Sequence, residues 1–111
     1  AARFVQTHSD TVQGLSLWAS YPDVDLSQLP VRTVSIYGTN DAVASRESLD
    51  QSHVLLPPDT MWVEIVGGNH SQFGWYGFQP GDAEAAISRE EQQALTVDAT
   101  VELLESLSVY P

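Results

Sequence analysis

The sequence predicts a three-layer α/β/α fold around a partial parallel sheet. Three short, largely apolar runs alternate with segments of helical character, Gly and Pro punctuate the boundaries, and the chain closes on a capped helix. Strands that are apolar along their length, instead of alternating, are buried on both faces, as a parallel sheet between helical layers requires. Three strands are few for such a sheet, so the expectation is a larger sheet of which one side is present.

The elements follow in order. Ala1 to His8 has helical character, and the chain reads as though it starts inside a helix; Asp10 and Gly14 bracket the turn that follows. Gly14 to Ser20 is a short apolar run ended by Tyr21-Pro22, which suits a buried strand. Asp23 to Pro30 is a polar, proline-bounded loop. Val31 to Tyr37 is rich in β-branched residues and predicts a second strand, with the turn Gly38-Thr39-Asn40-Asp41 after it. A helix is expected from Ala44 to about His53 with Ser45 as its cap, stopped by Pro57-Pro58-Asp59. Met61 to Val66 is the third strand, and Gly67-Gly68 ends it. An aromatic- and glycine-rich loop then runs from Asn69 to about Ala86.

The last helix is announced by Ser88 and Glu91 at the S-x-x-E spacing of a capping box, with Glu90 and Glu91 where the helix dipole favours negative charge. Ala94, Val97, Val101 and Leu104 recur at helical spacing and predict its apolar face, as far as about Leu107. The length of 111 residues suits one domain with no second one.

Composition narrows the function. Fifteen acidic against four basic side chains give a net charge of -11, opposite in sign to the footprint that nucleic acid demands, and an anionic membrane surface is disfavoured for the same reason. No apolar run approaches the ~20 residues of a membrane helix, so no membrane contact is expected from this segment. The absence of cysteine excludes a thiol nucleophile and Cys-ligated zinc. His8 and His53 have no ligand-like spacing, so neither a metal nor a cofactor is expected.

Functional groups in open parallel sheets gather beyond the carboxyl ends of the strands. Asp41 stands four residues after Tyr37, and His70 four after Val66. Parallel neighbouring strands would bring both loops to one edge, where a carboxylate accepting the imidazole Nδ1–H fixes the tautomer and leaves Nε2 to act as a general base. Each residue also has an ordinary reading: Asn40-Asp41 as turn chemistry, His70 as a loop residue. Only the pairing raises both above it. Trp18, Trp62, Trp75, Tyr76 and Phe78 read as core and loop packing, although Phe73 to Phe78 directly follows His70 and is placed to line a substrate pocket.

Ser35-Ile36-Tyr37-Gly38-Thr39-Asn40-Asp41, Leu55-Leu56-Pro57-Pro58 and Gly67-Gly68-Asn69-His70-Ser71-Gln72-Phe73-Gly74 resemble the C-terminal half of bacterial α/β-hydrolases, in particular the dienelactone-hydrolase-like alpha/beta hydrolase fold-5 group. Trp18-Ala19-Ser20-Tyr21-Pro22 and Ser88-Arg89-Glu90-Glu91-Gln92 are similar to that group as well. The resemblance implies that the three strands are the last three of an eight-stranded sheet, with Ala1 to His8 the remainder of the helix after the nucleophile. It implies a serine hydrolase acting on a small-molecule ester-like substrate, with His70 as base and acid and Asp41 as its orienter. The family's G-x-S-x-G elbow does not occur in this sequence: Ser16 and Ser35 fall mid-strand, and Ser71 adjoins the histidine. The elbow's N–H, which would help bind an oxyanion, is absent with it.

The chain is therefore expected to be inactive alone. Its strand edge at residues 14 to 20 is expected to be covered by the missing N-terminal half or by another copy. The alternatives are a non-catalytic α/β interaction domain that oligomerises, and a complete small α/β fold whose oligomer replaces the missing strands.

Overall fold

A computed structural model describes residues 1–107 of the chain. Its elements are helix α1 (Ala2–Thr7), strand β1 (Gly14–Trp18), strand β2 (Arg32–Gly38), helix α2 (Arg46–Gln51), strand β3 (Met61–Ile65) and helix α3 (Arg89–Leu107), with short 3-10 turns at Ser52–Leu55 and Ser71–Phe73. The strands form a parallel sheet in the order β1-β2-β3. The predicted fold class is borne out.

β2 is central, and that position explains its sequence. Thr33 to Ile36 are buried without a break, because the sheet is covered on both faces at this strand. On one face Val34, Ile36 and Ile65 pack with Ala99 and Leu103 of α3. On the other, Leu15 and Leu17 of β1 meet Val5 of α1 together with Leu26, Val31 and Leu56. Two apolar cores separated by one sheet make the three layers.

Several boundaries differ from expectation for local reasons. β1 ends at Trp18, not Ser20, because Ala19 turns into the left-handed region at φ 49. Its N–H still donates to Ile36 O at 2.7 Å. Ser45 caps α2 as expected, accepting from Ser48 N at 3.1 Å. The helix then tightens into the 3-10 turn at Ser52–Leu55 ahead of the two prolines.

The buried face of α3 is a correction. Ser88 does cap it, Oγ accepting from Glu91 N at 3.1 Å. However, the residues turned inward are Gln92, Thr96, Ala99 and Leu103, whereas Ala94, Val97, Val101 and Leu104 are exposed. The helix carries apolar residues on more than one side, so periodicity alone selects the wrong stripe. Two polar residues hold the packed one because their hydrogen bonds are met: Gln92 by the loop after β3, and Thr96, whose Oγ1 donates to Gln92 O at 2.8 Å.

Trp18, Trp75, Tyr76 and Phe78 are exposed too, so none of them joins the core; what packing they have is local, as where the Arg89 guanidinium lies over the Trp75 ring, 5.3 Å from its centre. Trp62 alone of that group is partly covered, stacked on His53 with ring centroids 3.7 Å apart. His8 likewise stacks on Phe4.

Candidate active site

The loops after β2 and β3 meet because two glycines let them. At Gly38 a Cβ would overlap the carbonyl of Gly68, so only glycine admits the crossing chain. Gly67 adopts φ +83 and turns the second loop back toward the first. Two backbone bonds and one to a side chain then lock the crossing: Thr39 N donates to Ile65 O at 3.1 Å, Asn40 N to Gly68 O at 2.8 Å, and Gly67 N to Thr39 Oγ1 at 2.8 Å.

This juxtaposition places the two residues singled out from sequence side by side. His70 Nδ1 lies 2.8 Å from Asp41 Oδ2. The Asp41 side chain is 1% exposed and that of His70 21%, so the contact is largely shielded from water. The other Asp41 oxygen, Oδ1, accepts from Val43 N at 2.7 Å and Ala44 N at 2.8 Å, which fixes the plane of the carboxylate. A carboxylate that accepts here pairs with an Nδ1–H tautomer of the imidazole, an arrangement in which Nε2 takes no part in the contact.

The rings and chains around the pair are held by residues that sequence reasoning passed over. Fully buried Gln92 grips the residue before His70: its Oε1 accepts from Asn69 N at 3.2 Å and its Nε2 donates to Asn69 O at 2.8 Å. Gln72 Nε2 donates to the same Oε1 at 2.9 Å. On the other side of His70, Ser71 donates to Asp82 Oδ2 from both N and Oγ, at 2.8 and 2.7 Å. Ser71 Oγ also accepts from Gln79 N at 2.7 Å, which leaves it buried with its proton committed, the opposite of a nucleophile's setting. Asp82 Oδ1 accepts from Ala42 N and Ala83 N. Burial pushes the Asp82 carboxyl up, but the Ser71 hydroxyl and the three amides outweigh it and bring it down to about 2, from an ordinary 3.8. Neither Gln92 nor Asp82 has a local signal; both act across long stretches of chain.

A hollow of about 750 Å³ opens elsewhere, at the amino ends of the strands, lined by Val12, Gln13, Pro30, Val31, Pro58 and Asp59 among others. It touches neither Asp41 nor His70. The carboxyl ends of the strands, where the paired carboxylate and imidazole sit, are where parallel sheets carry chemistry.

A parallel sheet between helical layers, with an Asp–His pair on adjoining loops past its strand ends, defines an α/β protein of the hydrolase type. The sequence model of the alpha/beta hydrolase family matches residues 1–94, and the chain belongs to that family. Neither a curated protein nor a solved structure matches it. Membership points to hydrolase activity at the level of the family.

Proposed function

We propose that this chain supplies the acid–base half of a serine hydrolase acting on carboxylic esters. His70 takes the proton of a serine and returns it to the leaving group, and Asp41 holds the imidazole in the required tautomer. The serine and its oxyanion-binding N–H come from a segment outside these 111 residues, since no G-x-S-x-G elbow lies within them. The observation that carries the reading is the 2.8 Å contact between His70 Nδ1 and an Asp41 carboxylate shielded from water and anchored by two amides.

The reading extends to the edge of the sheet. β1 pairs with β2 alone among the described strands. Beside it α3 presents Val97, Val101 and Leu104 to solvent, around Thr100, whose hydroxyl reaches Ser16 of β1 at 3.2 Å. A nucleophile-bearing N-terminal half, or another copy of the chain, covers this edge. The same exposed surface favours a second reading, a non-catalytic interaction domain. Mixing the chain with a segment carrying the elbow serine and assaying an activated ester separates them: hydrolysis that needs both parts and fails with His70→Ala supports the hydrolase. Association without turnover supports the interaction domain.

A further inference from the structure

We propose that Asp82 is a positioning residue that holds the Asp41 loop and the His70 loop at their working separation; this rests on the reading of Asp41 and His70 as an acid–base pair. Asp82 lies on the same long segment as His70, between β3 and α3, but past the 3-10 turn at Ser71–Phe73. Its two oxygens divide between the two loops: Oδ1 accepts from Ala42 N at 3.1 Å, on the residue after Asp41, and Oδ2 accepts from Ser71 N at 2.8 Å and Ser71 Oγ at 2.7 Å, on the residue after His70. A carboxylate is a rigid, planar unit, so the spacing of its oxygens is transmitted to the residues bound to each. A loop-capping aspartate would bond its own neighbours, as Asp82 does with Ala83 N at 2.9 Å. The bond to position 42 crosses to the other loop and those to position 71 reach back along the loop of Asp82 itself, so they converge on the flanks of one contact.

The chemistry demands an aspartate. All four partners are donors and both oxygens are occupied, so an amide in its place would turn an NH₂ toward at least one N–H. A glutamate would add a methylene and move one loop relative to the other. Displacements of about 1 Å in such constellations cost on the order of 10²-fold in rate. Gln92 completes the arrangement from the other side, fixing Asn69 while Asp82 fixes Ser71, so His70 is bracketed by two anchored neighbours.

The test reads the Asp41–His70 contact directly, by the exchange of the His70 Nδ1 proton with water in the NMR spectrum of the ¹⁵N-labelled chain. The wild-type chain is expected to show a protected proton that Asp41→Asn abolishes, and Asp82→Asn is expected to raise its exchange about tenfold, as loss of charge-assisted ordering would. An unchanged rate in a folded Asp82→Asn protein overturns the proposal. If Asp82→Asn does not fold, Ser71→Ala decides, since it removes one donor and keeps the amide: faster exchange upholds the clamp, and an unchanged rate overturns it. A wild-type chain with no Asp41-dependent proton removes the pair itself, and the clamp with it, which distinguishes the failure of the site reading from the failure of the clamp.

Discussion

The carbonyl oxygen of Gly68 occupies the space where any side chain at position 38 would begin. Two loops distant in sequence therefore cross in contact, and the Asp41–His70 approach depends on that crossing. Gly38→Ala is expected to push the loops apart, because the obstructing atom is backbone and cannot rotate away. The expected loss is roughly 1–3 kcal/mol, read from the denaturant midpoint, together with a lengthened Asp41–His70 contact in a crystal structure. A variant as stable as the parent, with the contact intact, would show that the crossing is not the determinant.

Within a reconstituted hydrolase, Asp41→Asn should lower kcat by about 10⁴, since an amide in this position favours the wrong imidazole tautomer. The chain by itself should not hydrolyse activated esters above background. Saturable turnover by the pure 111-residue chain that His70→Ala abolishes would contradict the assignment of the nucleophile to another segment.

Gln92→Leu should cost about 2 kcal/mol or more, although it replaces a buried polar residue by an apolar one of similar size. The backbone N and O of Asn69 and the Gln72 amide would each lose a buried partner. Chemical denaturation of the variant measures this, and an unchanged midpoint would mean that the loop re-forms its bonds elsewhere.

Acid should reveal Asp82. Its carboxyl is held at about 2 in the folded chain against an ordinary 3.8, so its contribution to stability is complete above roughly pH 4 and is lost as the pH falls toward 2. Thermal melts of the parent and of Asp82→Asn should therefore differ most near neutrality and converge across that interval. A gap that stays constant down to pH 2 would place the origin of the difference elsewhere.

The edge of β1 should associate. Among the described residues its backbone has a strand partner on one side only, and neither charge nor proline interrupts Gly14–Trp18. Sedimentation velocity on the chain alone is expected to show concentration-dependent self-association that Val97→Glu with Val101→Lys reduces. A protein that stays monomeric at high concentration would speak for a self-contained fold.

The strands, the Ser45 and Ser88 caps and the spacing that sets Asp41 and His70 past their strand ends were legible in the sequence, because each rests on residues within a few positions of one another. Which stripe of α3 is buried was decided only by tertiary packing: Val97, Val101 and Leu104 have the right period, yet Gln92 and Thr96 face inward because their hydrogen bonds are met there. Asp82 and Gln92 are ordinary polar residues in the linear chain, and their roles come from donors and acceptors on loops that only the folded sheet brings within reach. Period and capping are local properties and can be read along the chain; satisfaction of buried polar groups depends on contacts between distant segments, so it was settled when the two loops crossed at Gly38 and Gly68.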